Sequence, residues 1–317
     1  MNAKVLRALG KKAFVSALML MAMLALIIAV TGIPMDFGVQ YFDGETVIHL
    51  TAEDLVNSIK ENFKLFGSGQ AFSLEIKGET TWVIFVRAAG RSLPVLFIGT
   101  VLSLLIGTLK GIIDSRKKHR GGTLKLLQSL IPLSIPDILI ITLIQLGAMT
   151  LYHKAFEWPL LGVIPYFGDE TALHALLPIL SISLIPAAYL SRLVANTIED
   201  GLSKPYILAA RGKGCSLFRI ITTHLRKQIQ YTVLSAMPTL LGILFSSLVI
   251  VEQFFQFRGI GYHLIYFYTT TLVPDYEAGV AFSVFIVSMA FIYYGLFLLM
   301  NGLKQVLLPK IDSKKEG

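Results

Sequence analysis

A chain of 317 residues that is 54% hydrophobic and only 15% charged is not a soluble globular protein, whose charged fraction is about 25%. Its net charge of +8 lies beside apolar runs without interleaved aromatics, which excludes a nucleic-acid surface and points to membrane topology. Cys215 is the single cysteine, so no intrachain disulfide forms.

Apolar stretches able to cross a hydrocarbon core of about 30 Å recur along the chain and predict an all-α integral membrane protein with about six membrane helices. The first covers Ala13–Val30. Thr31-Gly32-Ile33-Pro34 is not a small-x-small cleavage site, so this span is read as retained. Residues 1–31 are thus the N-terminus and first span.

Residues 32–91 form a small subdomain on the opposite side. Thr51-Ala52-Glu53-Asp54 resembles a capping box opening a helix through Lys64, which Gly67 and Gly69 close. Phe72–Lys77 alternates as a short strand does. Thr80–Arg91 predicts an amphipathic elbow, with Trp82, Phe85, Val86 and Ala89 on one side and Arg87 and Arg91 on another.

Residues 92–317 hold the remaining spans, at Leu93–Ile113, Leu124–Tyr152, Ala172–Ala195, Tyr231–Val251 and Ala278–Leu303, with ends good to several residues. Pro94, Pro132, Pro136, Pro178, Pro186 and Pro238 fall in or near them and predict kinks or packing turns.

Lys4, Arg7, Lys11 and Lys12 precede the first span, and Lys110, Arg116, Lys117, Lys118, Arg120 and Lys125 surround the next loop on that side. Arg192, Lys204, Arg211, Lys213, Arg219, Arg226 and Lys227 follow, and Lys304, Lys310, Lys314 and Lys315 close the chain. Asp36, Asp43, Glu45, Glu53, Asp54, Glu61, Glu75 and Glu79 lie across the membrane. The positive-inside rule therefore places both termini in the cytoplasm.

The most informative segment is a polar, basic loop at about 199–228, between two spans. Ser203 is a candidate cap, Pro205 suits a first helical turn and Gly214 a left-handed stop, so Tyr206–Lys213 predicts two helical turns. Ser216 caps a second helix with Leu217, Ile220, Ile221 and Leu225 on one side. Ala209 and Ala210 leave room for a partner backbone. An isolated helix this short is unstable, so a groove on a soluble protein is one reading and an ordinary surface turn the other.

The motifs carry a resemblance. Ala209-Ala210-x-x-x-Gly214 resembles the EAA loop of permease subunits of ABC importers. Tyr206-x-x-x-Ala210-x-Gly212-Lys213-Gly214 is similar to the D-Y-V-x-T-A-x-A-K-G-L pattern of the oligopeptide/dipeptide/nickel branch, and the likeness continues through His224 and Arg226. Glu252-x-x-Phe255-x-x-Arg258-Gly259-Ile260-Gly261 resembles that branch's E-x-x-F-x-x-P-G-x-G. Asp275-Tyr276 matches a D-Y pair, and Leu307-Leu308-Pro309-Lys310-Ile311 is similar to its closing L-D-P-R-I. Departures are Leu208 for glutamate, Pro205 and Leu308 for aspartate, Arg258 for proline, and Ile33-Pro34-Met35-Asp36 for P-G-D-P.

The resemblance implies a MetI-like, type I importer permease, one transmembrane half of an ATP-driven machine. Its partners would be a second homologous permease, two cytoplasmic ATPase subunits, an extracytoplasmic solute-binding protein and membrane lipids, in a bacterial or archaeal plasma membrane. Tyr206, Ala209, Ala210, Gly212, Lys213 and Gly214 would couple to the ATPases, and Glu252, Phe255, Gly259 and Gly261 would shape an outer gate or loop. Oligopeptides or dipeptides are the implied solutes, with nickel or another small solute as the alternative.

Gly212-Lys213-Gly214 has neither the spacing nor the Ser/Thr of a phosphate loop, so ATP and Mg are expected in partner subunits and no cofactor or catalytic residue in this chain. His224 has no second ligand at metal spacing. Of the intramembrane acids, Glu252 is read as bracing the Gly259 loop, with the aqueous pathway as the alternative, and Asp137 as satisfying backbone freed beside Pro136, with solute contact as the alternative. A secondary transporter predicts internal repeats and midplane acids, and an enzyme a polar catalytic cluster. A channel or anchor leaves the organised loop unexplained.

Overall fold

The computed structural model describes residues 3–33, 40–42, 45–47, 52–116, 136–153, 165, 167–269 and 275–307. In chain order the elements are α1 (Ala3–Thr31), β1 (Gln40–Phe42), β2 (Glu45–Val47), α2 (Ala52–Ser68), α3 (Gln70–Ser73), β3 (Glu75–Ile76), β4 (Glu79–Thr80) and α4 (Thr81–Arg116). There follow α5 (Asp137–His153), a 3-10 turn (Ala172–Ala175), α6 (Leu176–Leu202), α7 (Pro205–Gly212), α8 (Leu217–Arg219), a π-turn (Ile220–His224), α9 (Arg226–Phe254), α10 (Ile260–Thr269) and α11 (Asp275–Leu307).

Four of the described helices are long and apolar enough to cross a membrane: Thr81–Ser115, Ala172–Leu202, Arg226–Phe254 and Glu277–Lys304. Shorter apolar helices at Val15–Thr31 and Asp137–Tyr152 coincide with the first and third predicted spans. The capping residue Thr51, the start of the third span with Pro132, the basic run 117–120, the 34–36 segment and the closing 308–311 motif lie outside the described residues.

The chain divides into two compact units, Met1–Gly90 with Tyr262–Gly295, and Arg91–Gly261 with Leu296–Gly317. In the first, α1, α2 and α11 meet at a polar knot. Buried Asn62 donates to the Ile28 carbonyl at 2.9 Å and to Ser283 Oγ at 3.4 Å, and Ser283 donates to the Gly279 carbonyl at 2.9 Å. Beside it Ala71, Val280 and Val284 form a small core, with Leu65, Phe66, Phe72 and Leu74 packed on it. An aromatic chain runs from Phe72 through Trp82 and Phe85 to Phe285, with centroids 5.2–5.8 Å apart.

Two local expectations are corrected here. Phe72–Lys77 is not a strand: left-handed Gly69 starts another helical turn, and only Glu75–Ile76 pairs with Glu79–Thr80. Lys77 and Gly78, with φ of 53° and 84°, supply the two left-handed residues of a tight hairpin turn. Thr80–Arg91 is not a separate elbow, because α4 begins at Thr81 and runs unbroken for 36 residues through Pro94. Phe85 and Ala89 are buried whereas Trp82 and Val86 are exposed, so the supposed common side divides. Arg87 pairs with Glu79 at 2.8 Å, and its hydrogen bonds hold that exposed carboxyl below the usual carboxylate range.

The second unit is built on α4, α6 and α9. Small residues let α4 and α6 approach closely. A side chain at Gly107 would meet the Ala187 carbonyl at 2.8 Å, and one at Gly111 the Ser191 carbonyl at 2.7 Å. Between them and Gly99, Ser103 donates to the Gly99 carbonyl at 2.7 Å and to Ser183 on α6 at 3.0 Å. Helices α6 and α9 pack along much of their length, with Thr197 and Thr232 hydroxyls bonded at 2.9 Å. Both continue through their internal prolines, Pro186 and Pro238. Asp137 opens α5 directly after Pro136, and its carboxylate accepts from Ser247 Oγ on α9 at 2.8 Å. Its partner is thus a neighbouring side chain rather than backbone freed beside Pro136.

Candidate functional site

Helix α9 has 29 residues, about 43 Å at 1.5 Å per residue, and a candidate site lies at each end. At its start is the basic loop. Pro205 occupies the first turn of α7, as its fixed φ suits. Ser203 is not the cap: it stays helical at the end of α6, its hydroxyl donates back to the Asp200 carbonyl, and Lys204 is the N-cap residue.

The C-terminus of α7 is a Schellman motif. Gly214 adopts φ of 80°, its N–H bonds the Arg211 carbonyl at 2.9 Å, and the Cys215 N–H bonds the Ala210 carbonyl at 3.2 Å. Ser216 then caps α8 through the Arg219 N–H at 3.4 Å. The expected second helix is a single α-turn followed by a π-turn, in which the Leu225 N–H reaches the Ile220 carbonyl at 3.1 Å.

What holds α7 in place is its own chain. Ile207 is fully buried among Ile198, Ile220, Ile221 and Leu225. The groove invoked for so short a helix is thus supplied partly by α6 and the π-turn. Ile207 is the anchoring residue that sequence reasoning passed over, although it is the one β-branched residue in α7. The opposite surface is open: Tyr206 and Leu208 are about half exposed, Ala209, Gly212, Lys213 and Gly214 are exposed, and Ala210 is half-buried. Phe218, 64% exposed, adds an aromatic to that end of the molecule. His224 is exposed in the π-turn, and no group of three metal-ligating side chains occurs among the described residues.

At the far end α9 stops in a second Schellman motif, with Gln256 in the left-handed position at φ of 50°. The Gln256 N–H bonds the Gln253 carbonyl at 3.2 Å and the Phe257 N–H bonds the Glu252 carbonyl at 2.9 Å. The backbone then folds back over the Glu252 side chain, which is wholly buried. Ser92 Oγ donates to Glu252 at 2.5 Å, the Gly261 N–H donates to its other oxygen at 2.7 Å, and the Ile260 N–H donates to Ser92 Oγ at 2.8 Å. Any side chain at Gly259 would collide with both Glu252 and Ser92, and one at Gly261 would meet Val249 Cα at 2.5 Å. Glu252 and the two glycines are therefore one construction, with the glycines allowing the backbone to approach a buried acid.

Phe255 is buried, and its carbonyl accepts the Gly168 N–H at 2.8 Å. Asp169, next in sequence, pairs with Arg91 of α4 at 2.9 Å and lies 3.9 Å from Arg258. Arg91 also donates to the Arg258 carbonyl at 3.2 Å, and Gln145 of α5 donates to the Phe254 carbonyl at 2.8 Å. Ser92, Asp169 and Gln145 carry no sequence signal of their own, since each is a single polar residue whose partner is far along the chain.

The family described as "Binding-protein-dependent transport system inner membrane component" matches residues 81–313, well over half of the chain. Similar proteins include a dipeptide transport system permease of Lactococcus lactis subsp. cremoris, 29% identical over 56% of this chain and 57% of that protein. A dipeptide transport system permease of Bacillus subtilis is 27% identical over 72% of this chain and 70% of its own length. A glutathione transport system permease of Escherichia coli is 26% identical over 56% of each. The chain thus spans little more than half the length of most of these relatives. The match takes in α4 with Ser92, the loop of α7 and the Glu252 turn, and the chain belongs to the family of binding-protein-dependent transport system inner membrane components.

Proposed function

We propose that this multi-pass inner-membrane protein is a permease subunit of an ATP-driven importer for dipeptides or oligopeptides. It forms half of the translocation pathway beside a second, homologous permease. Two ATPase subunits bind ATP and Mg and do the hydrolysis, a solute-binding protein delivers the solute from outside, and this chain is not itself catalytic. The positive-inside rule supports a cytoplasmic side for the α7 end and both termini, and the proposed cell is bacterial or archaeal. The dipeptide and glutathione permeases among its relatives support a peptide solute.

The observation that carries the reading is the two-sided character of α7. Ile207 pins one side to the bundle while Tyr206, Leu208 and Ala209 present an open apolar side next to Arg211 and Lys213. Gly214 is explained by its left-handed backbone. Gly212 is not, because its surroundings are open within 4 Å and its φ is not positive. A glycine with no reason in its own chain, beside exposed Ala209, fits close approach by a partner backbone. ATPase closure then moves α7 and the helices on either side of it as a rigid body.

The test replaces Ala210 or Gly212 with a bulky residue in the assembled transporter. Uptake of a radiolabelled dipeptide and solute-stimulated ATP hydrolysis should both fall while the protein remains in the membrane. Unchanged transport removes the coupling role. Uptake of nickel but not peptide by the unaltered transporter reassigns the solute.

A further inference from the structure

Resting on the coupling role of α7, we infer that Ile207 is the positioning residue that makes α7, α6 and α9 move as one body. Exposed residues of α7 make the contact with the partner, whereas Ile207 transmits it.

Ile207 is the one buried residue of α7. It joins a continuous apolar column that includes Leu190, Val194 and Ile198 of α6 and Ile229, Ala236 and Leu240 of α9, with Ile220, Ile221 and Leu225 at its foot. From Ile198 to Leu190 the column climbs about 12 Å along α6, and from Ile229 to Leu240 about 16 Å along α9. Both helices are therefore gripped well above the surface on which α7 lies.

The foot of the column has little room to slip. Leu225 closes the π-turn and lies so close to Gly201, at the end of α6, that a side chain there would meet Leu225 Cδ2 at 2.6 Å. Packed interiors have low compressibility and transmit displacement. By contrast, the backbone links between α6 and α7 and between α7 and α8 are short turns, Ser203–Lys204 and Lys213–Ser216, in which Cys215 alone packs on the column and the other residues are exposed. Removing the Ile207 side chain leaves α7 held by those turns, half-buried Ala210 and the lighter contact of Cys215. A partner can still seat it, but its motion then dissipates in the turns.

The experiment uses the complete transporter in proteoliposomes with Ile207→Ala, and with Ile207→Val as the milder variant should Ile207→Ala fail to accumulate. The number of dipeptides imported per ATP hydrolysed should fall by about fivefold or more in Ile207→Ala, the size of a typical inter-site coupling, and by less in Ile207→Val. The ATPase subunits should co-purify as they do with the unaltered chain, and hydrolysis should persist. Spin labels on Arg211→Cys, exposed beside the open apolar side of α7, and on Asn196→Cys, in a Cys215→Ser background, should report a narrow α7–α6 distance distribution that broadens in Ile207→Ala. An unchanged ratio of transport to hydrolysis, or an unbroadened distribution, overturns the inference. Loss of the ATPase subunits from Ile207→Ala also overturns it, making the residue part of the docking surface. Failure of the unaltered chain to bring ATPases down overturns instead the reading of α7 as the coupling element.

Discussion

Ser92 and Glu252, 160 positions apart in sequence, meet in a buried hydrogen bond of 2.5 Å that ties α4 to the end of α9. The same serine oxygen accepts the Ile260 N–H while Glu252 accepts the Gly261 N–H, so two side chains satisfy the first two N–H groups of α10, which have no partner within that helix. A buried acid is costly unless its oxygens are filled, and this one is filled by the turn that it holds.

Gly259→Ala should therefore destabilise the protein by about 1–3 kcal/mol, since the new methyl group displaces both Glu252 and Ser92. Glu252→Leu, which leaves the Gly261 N–H and the Ser92 hydroxyl unpaired, should cost a comparable amount. Glu252→Gln, which keeps an acceptor for Gly261, should cost less. Thermal unfolding in detergent ranks them, and equal midpoints for all three variants and the parent contradict the arrangement.

The two Schellman motifs place different residues in the left-handed position, Gly214 in one and Gln256 in the other, which gives an internal comparison. Gly214→Ala puts a side chain into the left-handed region and should lose about 1 kcal/mol, whereas Gln256→Gly relieves that strain and should gain a similar amount. Opposite shifts in the unfolding midpoint check this. Shifts of the same sign refute it.

Arg91 and Asp169 should couple measurably. The Asp169 side chain is only 7% exposed and that of Arg91 35%, so solvent screens the pair only in part, and a double-mutant cycle should return on the order of 1 kcal/mol. Arg258, 3.9 Å from the same carboxylate and 64% exposed, should return close to nothing. A larger coupling for Arg258 than for Arg91 would reverse the assignment.

Glycines within α4 and α5 should behave differently according to what lies opposite. Gly107→Ala and Gly111→Ala force α4 away from the α6 backbone and should cost about 1–3 kcal/mol. Gly147→Ala in α5 has open space around it and should be neutral or stabilising by up to about 1 kcal/mol. Yield of folded protein and unfolding midpoint decide between them.

Membrane helices and loop chemistry were legible in the residues because both are local. Apolar runs of sufficient length announce α4, α6, α9 and α11, Pro205 and Gly214 bound α7, and Ser216 caps α8. Where local signals competed, the sequence misled. Phe72–Lys77 alternates like a strand, yet Gly69 and the Lys77-Gly78 turn claim its two ends. Ser203 reads as a cap, yet α6 extends through Leu202 and takes the hydroxyl for itself.

Chain order alone determined that this protein lives in a membrane, which end carries positive charge, and where a short polar helix interrupts two spans. Those properties depend on composition and on spacing within a few turns. Tertiary packing decided which face of that helix is anchored, because Ile207 is buried in a cluster with Ile198 and the turn around Ile221, residues that a single helix cannot supply. It also decided what Glu252 does, since a carboxylate acquires its role from donors that folding brings to it, and Ser92 arrives from another helix.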